Sequence, residues 1–140
     1  MPYFGKSYLD AQIYDVASFG TDHMLSDNFV LSEVVSGCGA DIVIQHPALI
    51  ELRQKLRDHF GVLYISRSFS TPWHHLKISK QYGSDARGSY HPWGMADDIY
   101  SKNVSPVQIA TKARELGAGG VSAYPESGFC HIDVGPKRTW

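Results

Sequence analysis

The sequence predicts an α+β fold, a small antiparallel sheet with flanking helices. Two segments with helical periodicity alternate with strand-like segments, and the last two strand-like segments are joined by a tight turn that is typical of a hairpin. A length of 140 residues, 43% of them hydrophobic and 19% charged, suits one globular domain. We therefore expect a single domain over 1–140, with an N-terminal arm over 1–28 and the main body over 29–140.

The first half of the chain contains one clear helix and one strand. Residues 1–28 have neither helical nor strand periodicity, which predicts an arm or irregular packing segment. A helix is predicted from Pro47 to Phe60, because apolar residues recur there at three- and four-residue steps and Gly61 follows. Residues 62–69 are rich in β-branched and aromatic residues and predict a strand, and residues 70–90 predict a long loop.

The second half predicts a strand, a helix and a hairpin. Residues 95–101 form the predicted strand. Ser105, Pro106 and Gln108 form a capping box with proline in the first turn, so a helix is predicted to begin there and to end at Gly117. Residues 120–125 and 129–135 then predict two strands joined by a turn.

Composition excludes several classes of partner. A formal net charge of −1 gives no electrostatic reason to expect nucleic acid or an anionic membrane. Two cysteines, Cys38 and Cys130, are too few for a disulfide framework or a thiolate zinc site. No apolar run has the length of a membrane span, and the N-terminus lacks the features of a signal peptide. We expect a soluble monomer that is synthesised in the cytoplasm.

Two separated motifs carry residues that can bind a metal. His91 and Asp98 lie seven residues apart with a glycine between them, and His131 and Asp133 alternate with apolar residues on a predicted strand. His131 and Asp133 are therefore expected on the same face of that strand. Two histidines and one aspartate with an open fourth position are the composition of a catalytic zinc site. The motifs predict one zinc ion per chain.

The same motifs resemble signatures of the M15 metallopeptidases, the D-Ala-D-Ala carboxypeptidase and phage endolysin group, and in particular of subgroup A of that family. The stretch SYHPWGMADDI is similar to the signature S-x-H-x-x-G-x-A-x-D-I at each fixed position, and GGVSAYPESGFCHIDVGPKRTW is similar to the second, C-terminal signature. NFVLSEVVS and HPALIELRQKLRDHFG are similar to the first segment and first long helix of the family. The resemblance extends over residues 28–140.

The resemblance implies a fold, a cofactor and a substrate. It implies the hedgehog/DD-peptidase-like fold, with zinc bound by His91, Asp98 and His131. It also implies hydrolysis of the peptide stems of bacterial peptidoglycan by metal-activated water, as a carboxypeptidase or as an endopeptidase. A phage product or a protein released by lysis would act in this way on the cell wall. The spacing selects Asp98 as the ligand and leaves Asp97 as a solvated neighbour.

The sequence also departs from the family pattern at two positions. Ser70 stands where the family carries an arginine that binds substrate, so a replacement cation or donor is expected among four nearby residues: Arg67, His74, His75 and Arg87. Gly128 stands where many relatives carry the general base. Asp133 and Glu126 are then the candidate catalytic bases, and Asp133 is alternatively a residue that orients a metal ligand. The absent arginine supports a second hypothesis, an inactive zinc-binding recognition module of the same fold.

Overall fold

The computed structural model describes residues 2–35, 40–72 and 89–139. In chain order the strands are β1 Gln12–Asp15, β2 Met24–Ser26, β3 Phe29–Val30, β4 Ile42–Gln45, β5 Tyr64–Arg67, β6 Ala96–Tyr100, β7 Gly120–Tyr124, β8 Phe129–Asp133 and β9 Arg138–Thr139. The helices are α1 Val16–Phe19, α2 Pro47–Phe60 and α3 Pro106–Glu115. The mixed helix and strand content with small, mainly antiparallel sheets confirms the coarse fold class.

A five-stranded sheet with strand order β5-β6-β8-β7-β9 organises the described residues. The neighbouring pairs are antiparallel except for β7 and β9, which are parallel. Two smaller sheets each consist of one antiparallel pair, β1 with β4 and β2 with β3. The predicted hairpin is present as β7 and β8, and the predicted strands over 62–69 and 95–101 are shorter in the structure, as β5 and β6.

Helices α2 and α3 begin and end at the residues that the sequence indicates. The His46 ring accepts a hydrogen bond from the Ala48 amide, and Gly61 ends α2 with a φ of 84°. Helix α3 begins with the predicted capping box between Ser105 and Gln108. Such caps satisfy amide groups that have no partner inside the helix. Both helices then present a mainly apolar face to the core, and Arg53 is the charged exception on α2.

The main hydrophobic core lies between these helices and one face of the sheet. Ile99, Cys130, Ile132 and Val121 come from three neighbouring strands and are almost fully buried. They pack with apolar residues of the two helices, including Leu49, Leu52, Leu56, Ile109 and Ala113. Because strand side chains alternate, Asp98, His131 and Ser122 project from the opposite face of the same strands.

The N-terminal segment is more regular than the sequence predicts. Within 1–28, β1 pairs with β4, and β2 forms a hairpin with β3 that crosses the expected boundary at residue 28. Tyr3 is buried, and its amide donates to the Gly117 carbonyl. The description of 1–28 as irregular was wrong for the described residues. Strands β1 and β2 are only four and three residues long and contain no buried residue, so they leave no alternating apolar pattern to detect.

Among the described residues, no helix has the length and apolar character needed to cross a membrane. Cys130 is buried as a free thiol, and burial raises its pKa to about 12. Cys38 lies outside the described residues. A thiol with such a raised pKa stays protonated near neutral pH, so Cys130 serves as a core residue rather than as a nucleophile.

Candidate metal centre

Four polar side chains form one row across the face of the sheet that the helices leave open. The register pairs Arg67 of β5 with Asp98 of β6, Asp98 with His131 of β8, and His131 with Ser122 of β7. Residues that are directly opposite on neighbouring strands share a face and have adjacent side chains. The sheet therefore brings together residues that are as far apart in sequence as 67 and 131.

His91 enters this row from a short 3-10 helix, His91–Trp93, that precedes β6. Gly94 ends that helix in the left-handed conformation, with a φ of 70°, and its carbonyl accepts a hydrogen bond from the His46 amide. A Cβ atom at Gly94 would lie 2.1 Å from the Ile44 carbonyl oxygen. Both the backbone conformation and this close approach to β4 require glycine. Gly94 thus sets the turn that returns Asp98 to the neighbourhood of His91.

The ligand atoms of His91, Asp98 and His131 all lie within 4.8 Å of one another. Asp98 Oδ1 lies 3.5 Å from His91 Nε2 and 3.1 Å from His131 Nδ1. His91 Nδ1 is 2.7 Å from the Ser68 carbonyl oxygen, and because that oxygen can only accept, Nδ1 must carry the proton. His91 therefore presents the lone pair of Nε2 to the cluster. Two imidazole nitrogens and one carboxylate oxygen are donors that suit Zn²⁺.

Asp133 holds the ring of His131 from the other side. Its Oδ2 lies 2.8 Å from His131 Nε2 and accepts from Arg138 Nη2 at 2.7 Å. Its Oδ1 accepts from the Gly120 amide at 2.8 Å, the Gly135 amide at 3.0 Å and Arg138 Nη1 at 3.1 Å. The carboxylate is fully buried and accepts five hydrogen bonds, which exceeds its roughly four lone-pair sites.

The glycine-rich start of β7 makes room for this carboxylate. A Cβ atom at Gly120 would lie 2.2 Å from Asp133 Oδ2 and 2.9 Å from Arg138 Nη1. Any side chain at residue 120 would therefore displace the group that fixes His131. The Asp133 carboxylate approaches the backbone at residue 120 so closely that only glycine fits there. The Gly120 amide is itself one of the donors to this carboxylate.

The cluster has strongly shifted pKa values. Burial raises the pKa of Asp98, but the charges and hydrogen bonds of His91 and His131 outweigh burial and hold that pKa far below its usual range. Burial lowers the pKa of His131, yet hydrogen bonds to Asp133 and Asp98 raise it to about 9. Burial likewise raises the pKa of Asp133, and its contacts with His131 and Arg138 lower it overall. Both ring nitrogens of His131 face carboxylates, which agrees with a protonated ring.

The other predicted site residues have different positions. Arg67 is half-buried beside Asp98, and burial lowers its pKa more strongly than the Asp98 charge raises it. Ser70 is fully buried, and within the described part of the chain its Oγ has no hydrogen-bond partner. Glu126 is exposed in the turn between β7 and β8, at the opposite end of β8 from Asp133. His74, His75 and Arg87 lie outside the described residues.

One expectation was wrong, and several residues of the site were missed. Asp97 is not a solvated neighbour but is fully buried, 2.6 Å from Arg53 Nε. Strand alternation gave the signal for this, because Asp97 must face the core if Asp98 faces the site. The sequence carries no comparable signal for Arg138 on Asp133 or for the Ser68 carbonyl on His91, since both contacts depend on how separate segments pack.

Comparisons with known proteins support the same interpretation. The M15_2 peptidase family model, described as peptidoglycan L,D-endopeptidase MepK, matches residues 34–140. Relatives include the probable peptidoglycan L,D-endopeptidase MepK of Haemophilus influenzae and peptidoglycan L,D-endopeptidase MepK of Escherichia coli K12, each 44% identical over 55 residues. The matched segment spans 39% of this chain and only 30% of each relative's own length. No solved structure matches. The predicted M15 resemblance is confirmed over most of the chain, and the protein belongs to the M15 peptidase family.

Proposed function

We propose that this protein is a zinc-dependent peptidase that cleaves an internal bond in the peptide stems of bacterial peptidoglycan. The observation that carries the proposal is the convergence of His91 Nε2, Asp98 Oδ1 and His131 Nδ1 within 4.8 Å. These three atoms lie inside the segment that the family model matches. Residues 29–140 would form the peptidase domain, with a hedgehog/DD-peptidase-like fold.

His91, Asp98 and His131 would hold the zinc ion. When bound, zinc supplies a Lewis acid for the scissile carbonyl and lowers the pKa of a water molecule. The hydrogen bond to the Ser68 carbonyl keeps the proton of His91 on Nδ1, so that Nε2 is available as a ligand. Asp98 contributes a carboxylate that stays ionised at every working pH, because its pKa is far below the usual range.

We assign Asp133 to orienting His131 rather than to proton transfer. A general base needs a free lone pair that a water molecule can reach. The Asp133 carboxylate is fully buried and already accepts hydrogen bonds from two backbone amides, from Arg138 and from His131. This arrangement matches the common pattern in which a carboxylate orients a metal-binding histidine. Glu126 remains the other candidate base, and Glu126→Gln tests it in the same assay.

Arg67 is our candidate for the cation that Ser70 cannot supply. It pairs with Asp98 just after an irregularity in the β5 register, and the Asp98 charge acts on the pKa of its guanidinium, which supports a position beside the candidate ligands. A guanidinium there can stabilise negative charge that develops on a substrate carbonyl, and partial burial strengthens that interaction. His74, His75 and Arg87 remain candidates for the same role by sequence position alone.

The relatives' names support endopeptidase action on an L,D bond. We therefore propose cleavage between an L-configured residue and the D-configured residue that follows it, within the stem. The substrate would lie in the cell wall, and the protein would act as a monomer released by lysis or encoded by a phage. Release of terminal D-alanine would instead identify a carboxypeptidase.

Two synthetic stem peptides test the proposal. They share one sequence and differ only in whether the candidate bond joins L to D or D to D residues, and mass spectrometry identifies the products. Zinc-dependent internal cleavage of the L,D peptide is expected. Asp98→Asn should abolish it, whereas Asp27→Asn, which changes an exposed aspartate in a turn, should not. If the protein binds zinc but cleaves neither peptide nor purified cell wall, the result would favour the second hypothesis, an inactive zinc-binding recognition module. The serine at position 70, where the family carries an arginine, suggests that hypothesis.

A further inference from the structure

A fully buried polar cluster lies beneath the candidate metal centre, on the helix side of the sheet. Arg53 of α2 donates to the Asp97 carboxylate twice, from Nε at 2.6 Å and from Nη2 at 2.9 Å. Arg53 Nη2 also donates to Gln45 Oε1 at 2.7 Å and to Ser68 Oγ at 3.3 Å. Gln45 Nε2 donates to the same Ser68 Oγ at 3.1 Å. All four side chains have no exposed surface.

Stability alone does not explain this cluster. An ion pair with both partners at 0% exposure has a large desolvation cost, and well-packed apolar residues in its place are often neutral or more stable. Leu49, Leu52 and Leu56 on the same helix show that α2 already packs on the sheet through apolar contacts. A buried charged pair on a helix that already has these apolar contacts points to a further role.

The cluster contacts the two segments that present ligands. Asp97 immediately precedes Asp98 on β6, so fixing its side chain on the core face fixes the strand that presents Asp98 on the other face. Ser68 receives two donors on its hydroxyl, while its carbonyl accepts from His91 Nδ1 at 2.7 Å. Arg53 is therefore connected to Asp98 through its chain neighbour Asp97. It is connected to His91 through Ser68, whose hydroxyl accepts from Arg53 and whose carbonyl accepts from His91.

We propose that the Arg53–Asp97 pair is the positioning device of the metal centre. It holds the Ser68 carbonyl where it keeps the proton of His91 on Nδ1, and it holds β6 so that Asp98 faces His91. The inference rests on the proposed zinc site. Arg53 and Asp97 touch neither zinc nor substrate, so they are positioning residues and act through His91 and Asp98.

The test replaces the pair by apolar residues, in the double variant R53M/D97L. Thermal unfolding of the zinc-free protein checks that it folds, and competition with a chelator gives the zinc Kd. Nitrogen-15 NMR of the zinc-free protein reports which ring nitrogen of His91 carries the proton. We expect a folded protein that binds zinc about 10- to 100-fold more weakly, with the His91 proton divided between both nitrogens. A purely structural role would leave the tautomer unchanged.

A matched control removes a different ion pair. Lys112 and Glu115 form an i,i+3 pair at the surface of α3, 3.4 Å apart, and K112Q/E115Q should leave zinc affinity and the His91 tautomer unchanged. If R53M/D97L does not fold, R53K replaces it, because lysine keeps the charge but cannot form the paired hydrogen bonds. A folded variant with wild-type zinc affinity and one His91 tautomer overturns the inference alone. Wild-type protein that binds no zinc overturns the metal site as well.

Discussion

Replacing Asp133 by asparagine separates an orienting role from a catalytic one. The asparagine side chain has one carbonyl oxygen, whereas the Asp133 carboxylate accepts five hydrogen bonds through two oxygens. If the asparagine oxygen keeps the three hydrogen bonds that Asp133 Oδ1 accepts, the asparagine NH₂ group faces His131 Nε2 and Arg138 Nη2. Both of these nitrogens are donors, so neither can bond to the NH₂ group. Two charge-assisted hydrogen bonds are lost, at about 1.5 kcal/mol each. We expect Asp133→Asn to lower the free energy of unfolding of the zinc-free protein by about 3 kcal/mol.

Zinc affinity is the decisive measurement for this variant. Loss of the group that orients a metal-binding histidine weakens metal affinity about 10- to 100-fold. Competition with a chelator measures the Kd, and urea unfolding of the zinc-free protein measures stability. Activity at saturating zinc should be largely retained. A variant with unchanged zinc Kd and unchanged stability but with turnover near background would refute our reasoning and make Asp133 the general base.

Two pH effects and two substitutions test the same geometry. Because the pKa of His131 is raised to about 9, zinc must displace a proton from His131 when it binds. The Kd of zinc should therefore fall about tenfold per pH unit between about pH 6.5 and 8.5. Calorimetry in buffers of different ionisation enthalpy measures the released proton, and finding no release would contradict this prediction. In the zinc-free protein, the stabilisation from charged His131 is present below pH 6.5 and is lost as pH rises through about 9. Gly94→Ala should unfold or distort the site because of the contact with Ile44, and circular dichroism with zinc titration checks it; unchanged zinc affinity would contradict this. Arg67→Gln should lower kcat/KM about 100-fold at constant zinc content, and an unchanged rate would remove Arg67 from the proposal.

The elements with strong local signals were predictable from the sequence. Helix α2 begins and ends where apolar periodicity, Pro47 and Gly61 indicate, and the capping box at Ser105 marks the start of α3. Strands β6, β7 and β8 fall inside the predicted ranges. The small strands β1 and β2 were missed because they are short and contain no buried residue that would impose an alternating pattern.

The sequence motifs predicted the candidate ligands of the site but not the contacts that support them. The spacing of His91, Asp98 and His131 indicates a metal site because each residue belongs to a recognisable pattern, and alternation along β8 correctly places His131 and Asp133 on one face. The supporting contacts were not predictable. Arg53 contacts Asp97, which is 44 residues away in the sequence. The sequence of α2 does not indicate which core residue Arg53 will contact. Such contacts are set by the packing of α2 on the sheet rather than by local sequence.

The zinc content of the purified protein tests the central claim most directly. Elemental analysis of wild-type protein prepared without chelator is predicted to give about one zinc per chain, and His91→Ala and His131→Ala should each lose it. Removing zinc with a chelator should also lower the melting temperature, because an ion that binds only the folded state stabilises that state. Wild-type protein without zinc that also fails to bind added zinc at neutral pH would contradict the account.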